Sequence, residues 1–385
     1  SKSMSRMKLL KQFYIYLSIL VFNVLIVVLL VNLFFAALLN LGGNSARAKA
    51  PASGRFAFTE YSEELKDLYP GLKPEEVTAL IRETGSIPLG YRPFIQFGEK
   101  PFVGKHVNVE KFGFRPVANQ APWPPDETKK SIFVFGGSTT FGSGVTDYET
   151  IASWLSKRLE EMNVNGVQVY NFGRGNYIFG QEVVLLQQLL LQNHVPTLAI
   201  FIDGLNDLNH VSGNPAFTKK FTQVMDEGEI STSWKLFLEL PISRFFFSGG
   251  KNAEANSPED SNTTSDKVID RYLSNKKLAS GIAQHYGFKT LFVWQPVPVY
   301  KYDQKFNIFR DFDYSRFLPY LKPGYEIMAT RCLRGRCGDD FLWLADMQEN
   351  FNEPLYVDAV HYSSEMSKNI ASKIAETIID KGLLK

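Results

Sequence analysis

A chain of 385 residues, 44% apolar and 21% charged, is long enough to bury a full core, and this ordinary balance excludes a disordered or fibrous protein. A formal net charge of +2, with no basic cluster interleaved with aromatics beyond the N-terminal flank, gives no ground for a nucleic-acid partner. Two cysteines and five scattered histidines supply no metal-ligand spacing, so no metal and no cofactor is expected.

No charged residue occurs between Lys11 and Arg47, and residues 13–41 are overwhelmingly apolar, enough for one membrane-spanning helix with some tilt. The preceding flank carries Lys2, Arg6, Lys8 and Lys11 without an acid, whereas Arg47, Lys49 and Arg55 beyond the span are more dispersed. The positive-inside rule then places the N-terminus in the cytoplasm and the large body outside it. A cleavable signal peptide is the rival, since Ala46-Arg47-Ala48 and Ala48-Lys49-Ala50 are small-x-small sites. The apolar run is too long for a typical signal core, and Pro51 is a poor cleavage neighbour, which favours an uncleaved anchor. In an oxidising compartment Cys332 and Cys337 are expected to close a small disulfide loop, with two free thiols as the alternative.

The chain divides into an anchor over 1–45, an N-terminal cap and linker over 46–129, and a main domain over 130–385. Within the cap, Lys73 to Arg82 reads as a short helix with proline in its first turn, and residues 91–115 as short extended pieces. Four prolines between Pro116 and Pro125 mark an entry linker.

The main domain alternates strand and helix. Ile132 to Phe135 is an apolar run of the kind buried on both faces of a parallel sheet, and it ends in Gly136-Gly137-Ser138. Thr146 and Glu149 have capping-box spacing and are expected to open a helix to about Met162. Strands are expected at Val167–Asn171, Leu198–Ile202 and Thr290–Trp294, with helices over 180–193, 268–285 and 365–380. This order argues a three-layer α/β/α sandwich with a central parallel sheet. Residues 211–247 give no firm pattern, residues 248–267 read as a polar loop, and no internal repeat is present.

Three strand ends, at Ser138, at the Gly173/Gly175 turn and at Asn206, lie on one edge of such a sheet, where open α/β sheets bind ligands. A serine there serves either as a nucleophile or as a helix cap. A nucleophilic serine needs a base, a group to orient that base, and donors aimed at the oxyanion. Asp358 and His361 form an Asp-x-x-His turn that supplies a carboxylate and an imidazole. Asp207-Leu208-Asn209-His210 repeats that spacing and is a rival. Two other motifs fail: Ser143 stands where a phosphate loop needs lysine, and Thr140 where a nucleophile elbow needs glycine. His106, His194 and His285 fall in the cap or near helix ends and read as structural or solvated.

Taken together, Gly136-Gly137-Ser138, Asn171-Phe172-Gly173-Arg174-Gly175-Asn176, Gly204-Leu205-Asn206-Asp207 and Asp358-Ala359-Val360-His361 resemble the blocks of the SGNH (GDSL-type) hydrolases over residues 130–385. The resemblance implies Ser138 as nucleophile, His361 as base and Asp358 as its orienter. It also implies an oxyanion hole of Ser138 N–H, a block-two N–H from Gly175 or Gly173, and the Asn206 amide. Two departures stand out: Gly137 replaces the usual aspartate of block one, and the block-two glycines are one residue out of register. Arg174, Asp207, His210, Trp294 and Gln295 are candidate pocket residues. The expected function is an extracytoplasmic, membrane-anchored serine esterase acting on acyl, chiefly acetyl, esters of carbohydrates or lipids through an acyl-serine. An O-acyltransferase on envelope or secreted polysaccharide would use the same residues, and a non-catalytic glycan-binding or scaffold protein is the alternative from another class.

Overall fold

The computed structural model describes residues 2–42, 62–226 and 261–385, and the chain falls into two compact units. The smaller unit contains helix α1 (Lys2–Gly42), within which Met7–Ala37 is long and apolar enough to cross a membrane. At 31 residues that stretch is about 46 Å long, more than the roughly 30 Å of a bilayer's hydrocarbon core. The helix starts before residue 13 because Lys8 and Lys11 are good helix formers that continue it toward the N-terminus. The small-x-small sites at 46–50 lie outside the described residues.

The larger unit is built on five parallel strands: β5 (Ser131–Gly136), β6 (Gln168–Asn171), β7 (Leu198–Asp203), β8 (Lys289–Trp294) and β9 (Phe341–Trp343), in spatial order β6-β5-β7-β8-β9. Two antiparallel pairs precede them, β1 (Leu89–Arg92) with β2 (Gln96–Glu99), and β3 (Phe102–Val103) with β4 (Asn108–Val109). The helices of the body are α2 (Pro74–Ser86), α3 (Ser138–Phe141), α4 (Ile151–Glu161), α5 (Phe179–Leu191) and α6 (Leu205–Asn209). They continue, after α7 (Thr218–Asp226), with α8 (Ser261–Tyr286), α9 (Tyr314–Phe317), α10 (Leu321–Leu333) and α11 (Ser364–Asp380). The expected three-layer parallel architecture is what is observed.

Side-chain alternation builds two cores from one sheet. Ile132, Val134, Ile200, Ile202, Leu291 and Val293 face α2, α4 and α11, while Phe133, Phe135, Phe201, Phe292 and Trp294 face α5, α8 and α10. Both faces are apolar because helices cover both, which is why the strands read as unbroken apolar runs. Phe172, Phe135, Phe201 and Phe292 stack across the second face at 5.0–5.6 Å between ring centres. With the first strand lying between the second and third, the switch point of the sheet opens at the carboxyl ends of β5 and β7.

Several local expectations are corrected. Residues 261–267, read as loop, form the first two turns of α8, where Thr264 and Ser265 are buried and Ser265 Oγ donates to Tyr320 O (3.2 Å). Polar residues mask a helix when tertiary contacts satisfy them; residues 248–260 lie outside the described residues. The Thr146–Glu149 capping box opens a single 3₁₀ turn, and α4 begins one step later, capped by Thr150 Oγ1 accepting from Ser153 N (3.1 Å). Residues 62–129 share the core of the sheet domain, with Leu65, Leu68, Val77 and Leu80 packed in the cluster that holds Ile132. The prolines of the entry segment flank Trp123, whose ring packs among those of Phe114, Phe133, Tyr170 and Phe172. The expected disulfide between Cys332 and Cys337, by contrast, is formed.

Candidate active site

Strand β5 delivers Ser138. Gly136 leaves it at φ +156°, where a Cβ would lie 2.1 Å from Thr140 Oγ1, so only glycine fits the turn. Ser138 is the first residue of α3, a single turn ended by Gly142 in the left-handed region (φ 86°). As the helix's first residue it has an N–H with no intrahelical acceptor. Its hydroxyl is half-buried and lies 2.8 Å from His361 Nε2. His361 Nδ1 is 2.6 Å from Asp358 Oδ2, and the other carboxylate oxygen accepts the N–H groups of Val360 and His361, both at 2.8 Å. Burial alone would raise the Asp358 carboxyl, but His361 beside it and these N–H donors hold it below the usual carboxylate range. Tyr314 steadies the same turn, its hydroxyl donating to Ala359 O at 2.8 Å. The hydroxyl, imidazole and carboxylate are thus in hydrogen-bonded series, an arrangement in which an imidazole can take a hydroxyl proton and a carboxylate can fix its tautomer.

The second wall comes from β7. Asn206, in the first turn of α6, donates one Nδ2 hydrogen to Tyr177 O (2.7 Å), leaving the other for a ligand. A Cβ at Gly137 would stand 2.3 Å from that nitrogen, so glycine at this position is the condition for Asn206 to approach the strand end as it does.

The turn after β6 overturns the expected choice between its glycines. Gly173 N–H donates to Asn171 Oδ1 (3.0 Å), Arg174 N–H to Gly136 O (2.9 Å) and Gly175 N–H to Glu99 Oε1 (2.8 Å). Tyr177 N–H reaches Arg174 O at 3.4 Å. The Asn176 N–H has no partner among the described residues, and Asn176 sits at φ 60°. Gly173 matters for contact: a Cβ there would lie 2.3 Å from Phe141 N, against the turn that carries Ser138.

Four of the five other candidates are buried. Arg174 is buried and pairs with Glu99 at 3.2 Å while also donating to Gly113 O, so it is a brace and not an anion receptor. Trp294 is wholly buried, packed on Tyr272 and Tyr325 in the core. Gln295 is 2% exposed and accepts from Thr139 Oγ1 (3.1 Å), beside Ser138 in the chain but inside the protein. Asp207 is 2% exposed and lies with Glu182 and Asp203 in a buried carboxylate cluster, accepting from Phe179 N (3.3 Å). Burial and the neighbouring carboxylates push Glu182 and Asp203 up, and burial pushes Asp207 to about 6. His210 caps α6, and burial lowers it; it makes no hydrogen bond to Ser138, whose hydroxyl meets His361. Among the described residues no group of ligands could hold a metal ion.

Glu99, which accepts from Gly175 N–H and pairs with Arg174, escapes the sequence reading, and nothing local marks it.

The sequence matches no family model and no curated protein. Solved structures similar to this chain include the lipase/acylhydrolase from Enterococcus faecalis, at 14% identity over 66% of this chain and 96% of that one, with a TM-score of 0.35. A GDSL-like lipase from Bacteroides thetaiotaomicron shows 13% identity over 67% and 92% (TM-score 0.33). The lipase Lip_vut3 from a goat rumen metagenome shows 10% identity over 65% and 97% (TM-score 0.40). At these values, what the site does has to be decided by its own geometry.

Proposed function

We propose that this chain is a serine hydrolase that cleaves acyl esters through a covalent acyl-serine. The series Ser138 Oγ, His361 Nε2, His361 Nδ1 and Asp358 Oδ2, at 2.8 and 2.6 Å, carries the reading. In the first half-reaction Ser138 Oγ attacks the ester carbonyl and His361 takes its proton. Collapse of the tetrahedral intermediate releases the alcohol, which His361 protonates. Water then attacks the acyl-serine, gives a proton to His361 and frees the carboxylic acid as the proton returns to Ser138. Ser138 N–H, Asn206 Nδ2 and, in place of either glycine, the Asn176 N–H donate to the oxyanion.

The site works on the outer side of a membrane in this reading. The Cys332–Cys337 bridge suits an oxidising compartment, and the basic flank before the apolar helix sets its N-terminus in the cytoplasm. Esters of envelope carbohydrates or of lipids are the substrates within reach there, and acetyl esters are the first to assay. A glycan-binding scaffold would have no use for a buried carboxylate aligned on a histidine that touches a half-exposed serine.

Turnover of short-chain aryl esters by the wild-type protein, Ser138→Ala and His361→Ala tests the proposal. Each substitution is expected to lower kcat by on the order of 10³–10⁶-fold, as loss of a triad member does. Turnover that survives both substitutions would sink it.

A further inference from the structure

We propose that Arg115, held by Asp147, is a positioning residue for the Ser138 nucleophile; this rests on the hydrolase reading above. Arg115 belongs to the N-terminal segment, outside the strands and helices that carry the site. It is wholly buried, and its guanidinium donates from Nε to Asp147 Oδ1 (2.8 Å), from Nη1 to the carbonyls of Phe141 (2.9 Å) and Gly142 (2.6 Å), and from Nη2 to Val145 O (2.6 Å). Its own backbone N–H reaches Asn171 O (3.0 Å), and Asn171 Nδ2 in turn donates to Thr140 O (3.0 Å). The carbonyls of Thr140, Phe141 and Gly142 are therefore all engaged by two residues that neighbour each other.

Those carbonyls close the one-turn helix that Ser138 opens. A four-residue helix has almost no stability of its own, since nucleation costs more than one turn returns. Its orientation is set from outside, and Arg115, with Asn171 beside it, grips it. Asp147 is fixed independently, accepting from Asn108 N (3.1 Å) and Nδ2 (2.7 Å), so the guanidinium is anchored on one side and grips the loop on the other. The Arg115 guanidinium also lies 5.0 Å from the centre of the Phe141 ring. The planar fork is what allows one side chain to meet a carboxylate and three carbonyls; a lysine ammonium is a single point that cannot span them. Displacement of Ser138 Oγ by a fraction of an ångström would lengthen its contact with His361 and shift the adjacent N–H, while the rest of the surface that binds the ester stays in place.

Arg115→Lys and Asp147→Asn test this beside the wild-type protein and Ser138→Ala. Folded fraction is measured by circular dichroism and turnover of an aryl acetate is expressed per folded molecule. The expected result is a fall in kcat of about 10–100-fold, the cost of misplacing a reacting group by roughly 1 Å, with KM within about threefold of wild type. The rate of fluorophosphonate labelling should fall in parallel with kcat. If Arg115→Lys does not fold, Asp147→Asn, which keeps the side chain's volume and an acceptor oxygen, carries the same split. Wild-type kcat per folded molecule, or loss of the fold in both variants, overturns the role and leaves Ser138 as nucleophile untouched. A wild-type protein with no turnover dependent on Ser138 overturns the hydrolase reading itself.

Discussion

At Gly137 a hydrogen atom stands where a side chain would push aside the amide of Asn206. Gly137→Asp, which restores the residue usual in the family the sequence resembles, is therefore expected to lower kcat, because Asn206 must retreat from the oxyanion. Removing that donor outright in Asn206→Leu should cost about 10²–10³-fold in kcat, the typical worth of one oxyanion-hole hydrogen bond. Steady-state kinetics on an aryl ester measures both. Asn176 makes a different prediction. Its contribution is a backbone N–H presented at positive φ, so Asn176→Gly keeps both conformation and donor and should leave kcat within a fewfold of wild type. A larger loss would mean that the side chain of Asn176, and not its N–H, serves the site.

Among the elements, β7 and α5 hold a feature the chemistry does not use. Glu182 and Asp203 are buried together with Asp207, and burial with mutual repulsion raises both Glu182 and Asp203. In the folded state these groups keep protons that the unfolded chain releases above about pH 4. The folded protein then binds more protons than the unfolded one, so stability falls as pH rises from that point toward the folded values. Glu182→Gln removes one such group and should flatten the decline, raising Tm at neutral and mildly alkaline pH relative to wild type while changing it little at pH 4. Thermal melts across that range decide it. Asp358 has the opposite sign: its lowered value contributes stability at neutral pH that is lost as pH falls through the folded value.

This is also the scale at which the limits of sequence reading show. Strands β5, β7 and β8 were legible because helices cover both faces of the sheet and force unbroken apolar runs. Ser138, Asn206, Asp358 and His361 stand out as candidates because each lies at a strand end or in a short turn with local spacing. Asp207, Trp294 and Arg174 lie at the same strand ends, and only packing decides that they point into the core or into a brace. Glu99 and Arg115 act on residues 76 and 26 or more positions away, a pairing that no local pattern encodes. The start of α8 was hidden by its polar residues, which buried contacts satisfy.

For the whole molecule, the helix Met7–Ala37 and the Cys332–Cys337 bridge set the predictions. The full chain should sediment with membranes and resist carbonate extraction, whereas residues 46–385 should remain in the supernatant; equal behaviour of the two would remove the anchor from the account. The disulfide closes so short a loop that replacing both cysteines by serine should cost only about 2 kcal/mol in the chain-entropy view. Chemical denaturation of the two proteins measures that cost, and turnover of the folded variant should be unchanged.

The most direct test of the central claim is covalent labelling. Wild-type protein is treated with a fluorophosphonate, digested, and the modified residue located by mass spectrometry, with Ser138→Ala and His361→Ala treated alongside. The account predicts a single adduct on Ser138, absent from Ser138→Ala and formed orders of magnitude more slowly in His361→Ala, with the fold of both variants intact by circular dichroism. An unlabelled Ser138 in folded wild-type protein, or equal labelling when His361 is removed, would contradict it.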